Sequence, residues 1–155
     1  PSTGGSERAV RVLTVGVGEA GHLNPLLPLV QALLAVGDEV AVAAGDDPGG
    51  VVAETGAQFR TAGHPETEWF AALQGRTRGA PGDGLAPERI NGYFVPRLFG
   101  EIATDDMIDD VLDVGRDFRP DAVLFESYAF AGPLTAELLG VPAIHHLISP
   151  CCPTR

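Results

Sequence analysis

The sequence predicts a doubly wound α/β domain built on a mostly parallel, Rossmann-like sheet. Short runs rich in valine and alanine alternate with segments of helical character, and this order is typical of parallel strands joined by right-handed crossovers. A glycine-rich stretch at 16–23 directly follows the first run, at the edge where such sheets bind their ligands. With 155 residues, of which 45% are hydrophobic, the chain is long enough for one domain with a substantial core.

Five strands are expected. Residues 10–16 form a β-branched run that is typical of a buried strand, and similar runs follow at 39–44 and 57–61. After a long interval, residues 122–125 and 141–145 resume the same pattern. Helical segments lie between these runs, which favours parallel pairing throughout the sheet.

The first helix is expected to begin at Asn24. Asparagine is a good helix cap, and Pro25 at the first helical position loses no required hydrogen bond. Pro28 would remove only the first hydrogen bond within the helix, and Gly37 should end the helix in a left-handed conformation. This assignment leaves residues 16–23 as a wide loop.

An irregular insert at 63–96 separates the two halves of the pattern. A short helical turn is expected before it, at 50–56, and longer helices are expected after it at 99–118 and 129–139. The helix at 99–118 carries a cluster of carboxylates that we interpret as a solvated face rather than a metal site. These residues are Asp105, Asp106, Asp109 and Asp110.

Composition excludes several classes of partner. The formal net charge is −11, with ten arginines and no lysine, which disfavours nucleic acid and anionic membrane surfaces. The only cysteines, Cys151 and Cys152, are adjacent and cannot staple a core, and no metal-ligand spacing is present. Because neither a signal peptide nor an apolar run of about 20 residues is seen, we expect a cytoplasmic protein without a membrane span.

The glycine-rich stretch has two interpretations. Gly16, Gly18 and Gly21 match the spacing of a dinucleotide-binding fingerprint, and Asp46 and Asp47 lie near the end of the second strand, where a ribose-binding acid would be expected. In that fold the helix begins within the glycine motif, where its free N–H groups meet the pyrophosphate. A helix starting there would hold two prolines in its interior, at roughly 3 kcal/mol each. A dinucleotide-dependent oxidoreductase is therefore the less favoured alternative.

The second interpretation starts from His22. Its position at the carboxyl edge of the sheet and its near-neutral ordinary pKa suit a general base. Glu126 follows the fourth strand at the same edge, where a carboxylate could orient the imidazole and stabilise the imidazolium. The plainer alternative is a loop histidine that caps or packs, and the spacing alone does not establish a contact.

Three motifs resemble one enzyme family. They are the string Gly21-His22-Leu-Asn24-Pro25-Leu-Leu, the string from Arg119 to Glu126 and the string from Ala131 to Pro142. In order and spacing they are similar to the GT-B glycosyltransferases of natural-product biosynthesis, the macrolide and enediyne antibiotic type. The resemblance covers residues 10–147 and implies that this region is the acceptor-binding half of such an enzyme.

The resemblance implies a mechanism. His22 matches the base that deprotonates the acceptor hydroxyl for a single, inverting, metal-independent displacement at the anomeric carbon. Glu126 matches its acidic partner, which is more often aspartate in the wider family. The co-substrate would be a nucleotide-diphosphate sugar, bound mainly by a second domain, and no further cofactor is implied.

The resemblance also implies a site for a hydrophobic aglycone. Family members line it with the segment that follows the third strand, and aromatic walls suit flat or polycyclic ligands. A short helix in the insert is expected to present Trp69, Phe70 and Leu73 on one face. The candidates are Gly21, Asn24, Trp69, Phe70, Leu73, Tyr93, Phe94, His145 and His146.

Outside the domain, residues 1–9 are expected to be disordered, and the tail at 148–155 does not resemble the family's continuation. With no segment resembling the donor-binding domain, the chain is expected to be inactive alone. Its unpaired surface would favour self-association. A non-catalytic accessory module of the same fold remains the main alternative function.

Overall fold

The computed structural model describes residues 8–77 and 92–147. Its centre is a parallel sheet in the order β3-β2-β1-β4-β5. The strands are β1 Arg11–Val15, β2 Glu39–Ala44, β3 Gln58–Thr61, β4 Ala122–Glu126 and β5 Ala143–His146. The strand order reverses between β1 and β4, as expected of a doubly wound fold. The predicted fold class and all five strands are confirmed.

Helices cover both faces of the sheet. Residues 92–95 are helical and run into a π-helical segment that leads directly into the longest helix. The helices are α1 Ala20–Leu23, α2 Leu27–Ala35, α3 Val51–Thr55, α4 Glu66–Thr77, the π-helical segment Pro96–Ala103, α5 Thr104–Phe118 and α6 Ala131–Leu139. No helix within 8–77 or 92–147 is both long and apolar enough to cross a bilayer.

The core has two layers, one on each side of the sheet. Leu13 and Val15 of β1 face the layer formed with α4, the π-helical segment and α5. Val12 of the same strand faces the layer formed with α2 and α3. Since successive side chains of a strand point to opposite faces, this alternation shows a central strand buried on both sides.

The helical start after β1 differs from the prediction. Asn24 does not cap a helix with its side chain but ends α1, its backbone N–H donating to the carbonyl of Ala20. Residues 16–23 therefore are not a plain loop. The carboxylate of Glu19 caps the extra turn by accepting the N–H of Gly21 at 2.8 Å, and buried Leu23 anchors it to the core.

Helix α2 begins later than expected. It starts at Leu27, so Pro28 lies in the first turn, where no intrahelical hydrogen bond is lost. Its carboxyl end agrees with the prediction, since Gly37 adopts a φ of 95°, in the left-handed region.

An apolar stripe lies at the β5 edge of the sheet. Phe130, which precedes α6, and Leu134 and Leu138 within it are spaced four residues apart and are exposed, as are Ile144 of β5 and Leu147 just after it. Parallel sheets are ordinarily covered on both faces. The stripe is consistent with a contact surface, and self-association through it stays a prediction.

Candidate active site at the carboxyl edge of the sheet

The sheet brings the two predicted catalytic side chains to one place. Strands β1 and β4 pair in parallel, with Val15 opposite Phe125, so their carboxyl ends lie side by side. Glu126 is the last residue of β4, and His22 lies on α1, which begins a few residues after β1 ends. Local sequence therefore places each residue at its strand end, and the pairing of distant strands makes them neighbours.

His22 and Glu126 form a buried pair. The Nδ1 atom of His22 lies 3.3 Å from Oε2 of Glu126, and their side chains are 15% and 0% exposed. Oε2 also accepts the backbone N–H of Tyr128 at 2.9 Å. Among the described residues, neither Nδ1 of His22 nor Oε1 of Glu126 has a well-aligned hydrogen-bond partner. With Nδ1 facing the carboxylate, Nε2 is the ring nitrogen left to act on a ligand.

Two aromatic rings that the sequence analysis did not predict pack against His22. The imidazole lies 5.3 Å from the ring of Tyr128, edge to face, and 5.7 Å from the ring of Phe99. These two rings also contact each other, with centroids 4.8 Å apart. Phe99 reaches the site from the π-helical segment, a type of distortion frequent at functional sites. The nearness of Tyr128 to Glu126 in the chain was the one signal available in the sequence.

Carboxylates dominate the electrostatics around His22. Burial acts to lower the pKa of His22, but the adjacent Glu126 carboxylate, with smaller contributions from Glu66 and Glu19, outweighs it and raises the pKa. The pKa of Glu66 is itself raised, chiefly by burial, with His22 opposing and the other two carboxylates adding to the shift. The site therefore stabilises an imidazolium at His22.

The insert residues occupy different environments. Trp69 and Leu73 are each only 2% exposed and belong to the core, where the indole N–H of Trp69 donates to Asp106 at 2.8 Å. Phe70 is 44% exposed. Helical residues advance by about 100° each, which puts Phe70 at the solvent margin of the face that Trp69 and Leu73 bury, so a shared ligand contact of the three stays a prediction.

The other aromatic candidates lie just before the π-helical segment. The rings of Tyr93 and Phe94 meet edge to face at 5.6 Å, and the guanidinium of Arg97 lies 5.0 Å from the ring centre of Tyr93. Phe94 packs against the core. Residues 78–91 of the insert lie outside the described part of the chain, so acceptor contacts by these rings stay a prediction.

The remaining acceptor candidates lie on or just after α1 and on β5. Gly21 and Asn24 are exposed on either side of His22. His145 is exposed, stacks on Phe125 at 4.8 Å and places Nε2 3.3 Å from the hydroxyl of Ser127. His146, one residue on, is half-buried.

The aspartate face of α5 is only partly solvated. Asp106 accepts the backbone N–H of His64 at 2.6 Å, its ring Nδ1 at 2.7 Å and the indole N–H of Trp69 at 2.8 Å. Asp110 accepts the backbone N–H of Gly63 at 2.8 Å. The prediction of a solvated face is therefore wrong for Asp106, which is half-buried, whereas Asp110 is exposed; both carboxylates anchor the loop after β3. Within the described ranges, no three metal-ligating side chains converge on one point.

The glycine fingerprint has an explanation inside the chain. A β-carbon at Gly18 would lie 2.4 Å from the backbone nitrogen of Asp46, so only glycine permits this close approach of two loops. The neighbouring acid, Asp47, caps α3 by accepting the N–H groups of Val52 at 3.0 Å and Ala53 at 3.2 Å. Packing therefore accounts for Gly18, and capping for Asp47, without a bound dinucleotide.

Gly18→Ala is expected to lower the free energy of unfolding by about 1–3 kcal/mol, because the new methyl group meets backbone rather than a flexible side chain. Gly21→Ala is the matched control, since its nearest neighbour is the carboxylate of Glu19 at 3.1 Å, which can move. Urea denaturation of the two variants provides the comparison. Equal stability of both would contradict the packing explanation.

The fold is that of one half of a GT-B glycosyltransferase, and comparison with known proteins leads to the same class. No protein-family model matches the chain. It is 29% identical to the 10-deoxymethynolide desosaminyltransferase of Streptomyces venezuelae, over 84% of this chain and 34% of that protein. It is 30% identical to the tylactone mycaminosyltransferase of Streptomyces fradiae, over 84% of this chain and 32% of that protein.

Solved structures extend the likeness. The glycosyltransferase SsfS6 of Streptomyces sp. SF2575, in complex with thymidine diphosphate, superposes with a TM-score of 0.69 at 29% identity, over 89% of this chain and 38% of that one. The chain is thus a homologue of natural-product glycosyltransferases with the GT-B fold. It spans about a third of the length of the curated relatives it matches.

Proposed function

We propose that this chain is the acceptor-binding half of an inverting, nucleotide-sugar-dependent glycosyltransferase that acts on a natural-product aglycone. The observation that carries the proposal is the buried pair of His22 and Glu126 at the carboxyl edge of the sheet, where two aromatic rings pack against His22. The relatives named above, which transfer desosamine and mycaminose to 10-deoxymethynolide and tylactone, support the substrate class.

In the proposed reaction, His22 is the general base. Its neutral Nε2 takes the proton of the acceptor hydroxyl as that oxygen attacks the anomeric carbon of the sugar. The new carbon–oxygen bond forms as the bond to the diphosphate breaks, so the nucleoside diphosphate leaves with the electron pair and the configuration inverts. The carboxylate of Glu126, 3.3 Å away, stabilises the imidazolium that remains.

The surroundings of the pair suit this role. His22 is only 15% exposed and packs against the rings of Phe99 and Tyr128, which restrict the orientation of the imidazole. The carboxylates of Glu19 and Glu66 favour the charged product of proton transfer. An apolar acceptor carrying one reactive hydroxyl fits such a site better than an anionic one, because the site already holds several negative charges.

Binding by the isolated chain tests the proposal. Titration with a macrolide aglycone such as 10-deoxymethynolide is expected to shift the NMR signals of His22 and Tyr128, because the acceptor hydroxyl must approach Nε2. Thymidine diphosphate is bound in the structure of SsfS6, of which this chain matches only 38%, and it is expected to give no comparable shifts with this chain alone. Calorimetry on the same samples measures both affinities.

The outcomes separate the rival functions. Tight binding of thymidine diphosphate to the chain alone would contradict an acceptor-binding half. A non-catalytic accessory module would be favoured if the aglycone binds away from His22 and if His22→Ala leaves transfer by a complete enzyme unchanged. Tight binding of a nicotinamide dinucleotide would favour the oxidoreductase alternative.

A further inference from the structure

The two oxygens of Glu126 lie in different environments. Oε2 accepts the N–H of Tyr128 and faces His22, whereas Oε1 is fully buried and has no hydrogen-bond partner among the described residues. A buried carboxylate oxygen without a donor is costly, so native structures almost always supply one. A side chain beside Glu126 on the same face of the sheet could supply a donor to Oε1.

Strand pairing identifies that side chain. In the parallel register of β4 and β5, Phe125 pairs with His145 and Glu126 pairs with His146. The rings of Phe125 and His145 stack with an interplanar angle of 0° and centroids 4.8 Å apart, so paired residues here lie side by side on one face. Because side chains alternate along a strand, Glu126 and His146 lie together on the opposite face.

His146 also has an unsatisfied group. Its Nδ1 atom is buried and, within the described part of the chain, has no hydrogen-bond partner. Two buried polar atoms of complementary chemistry, a ring nitrogen and a carboxylate oxygen, thus occupy neighbouring positions on adjacent strands. Adjacent strands lie about 4.8 Å apart, so a side-chain rotation can bring the two polar atoms into contact, or one water can bridge them.

We propose that His146 is a positioning residue of the active site, whose Nδ1–H serves Oε1 of Glu126 directly or through one water. The carboxylate then lies between two imidazoles, with His22 at Oε2 and His146 at Oε1. By donating to Oε1, His146 fixes the orientation of the carboxylate and weakens the stabilisation that the carboxylate gives to protonated His22. This role differs from the acceptor contact that the family resemblance implies for His146.

The effect of His146 on the titration of His22 has a direction that can be measured. Loss of the donor at Oε1 leaves the carboxylate charge less stabilised, so the pair of His22 and Glu126 holds its shared proton to higher pH. Glu19 and Glu66 also face His22 and are unchanged in the variants below, so they contribute equally to every measurement. The inference rests on the proposed function only in naming His22 as the base.

The experiment is an NMR titration of His22 in the chain and its variants. His146→Leu removes the donor and is expected to raise the titration midpoint of His22 by at least about 0.5 pH unit. His146→Asn places an amide nitrogen where Nδ1 was and is expected to hold the midpoint within about 0.2 pH unit. His145→Leu, on the other face of β5, is the matched control and should leave it unchanged.

Two further measurements keep the test decisive. In the unsubstituted chain, nitrogen shifts are expected to show neutral His146 as the Nδ1–H tautomer, the one that its hydrogen bond would select. If His146→Leu fails to fold, His146→Gln replaces it, since its amide reaches the Nε2 position instead and should raise the midpoint where Asn does not.

An unshifted midpoint in His146→Leu, the same shift in His145→Leu, or an Nε2–H tautomer at His146 would overturn the inference. The proposed function fails by a different route. Unchanged turnover after His22→Ala in a complete transferase that carries this domain would refute the function, and the coupling seen in the titrations would stand.

Discussion

Replacing His22 with alanine in a complete transferase that carries this domain is expected to lower kcat about 1,000-fold. The acceptor hydroxyl then loses the base that removes its proton, while the apolar walls that hold the aglycone stay in place. The dissociation constant for the aglycone should therefore change much less than kcat. Steady-state kinetics together with direct binding measures the two quantities separately.

The matched control is His145→Ala. His145 lies at the same edge of the sheet, but its ring stacks on Phe125 and faces the hydroxyl of Ser127 rather than a carboxylate. Its loss should leave kcat within a few-fold of the parent value, and the loss of any acceptor contact by His145 would raise KM instead. Unchanged turnover in His22→Ala would remove His22 from the mechanism, and an equal loss in both variants would indicate a general disturbance of the edge.

The same assignment has a consequence for pH. A base acts only when neutral, and Glu126, Glu66 and Glu19 together raise the pKa of His22 despite the opposing effect of burial. The rate should therefore fall as the pH drops through a value above about 6.5, the ordinary pKa of histidine. A pH–rate profile that stays flat through this range would contradict general-base catalysis by His22.

Asp106→Ala is expected to give the largest loss of stability, about 3 kcal/mol in the free energy of unfolding. Its carboxylate accepts three hydrogen bonds, two from His64 and one from the indole of Trp69. Removing it leaves the N–H of a Trp69 side chain that is 2% exposed without its acceptor and releases the loop after β3 from α5. Denaturant unfolding followed by circular dichroism measures the loss.

Asp105→Ala is the control for that loss. Asp105 is the preceding residue of α5 and is exposed, so its replacement should change stability by less than about 0.5 kcal/mol. Similar stability of the two variants would show that the contacts of Asp106 contribute little.

The stabilisation by Asp106 should depend on pH. The hydrogen bond and charge of Asp106 raise the pKa of His64, so the stability gained from protonated His64 is complete below its unfolded pKa and is lost as the pH rises through the folded value. The pKa of Asp106 is lowered, since hydrogen bonds from His64 and Trp69 outweigh its partial burial, so the carboxylate stays charged. The difference in Tm between parent and Asp106→Ala should be larger at about pH 5.5 than at about pH 8.5.

The strands could be predicted because the information is local. Runs such as 39–44 carry the apolar, β-branched character of a buried strand, and their alternation with helices permits few arrangements besides a parallel sheet. Helix starts were harder to predict. Asn24 and Pro25 have the chemistry of a helix start, yet α1 forms before them because Glu19 caps it and Leu23 is buried beneath it.

The candidate site was predicted only as far as strand ends allow. His22 and Glu126 follow two strands, and the edge they share is a property of every parallel sheet. The packing of Phe99 and Tyr128 against His22 was not predicted, because Phe99 lies in a π-helical segment that no sequence pattern indicated. Similarly, the role of Asp106 depends on a loop folding over α5 from more than forty residues away along the chain.

By itself, the sequence determined the class of fold, the edge at which chemistry can occur and the residue types available there, because strand periodicity and glycine placement act over a few residues. Only the tertiary structure decided which side chains meet. It set the 3.3 Å contact of His22 with Glu126 and the pairing of Glu126 with His146. It also committed Trp69 and Leu73 to the core. These outcomes depend on packing between distant segments, which local pattern cannot encode.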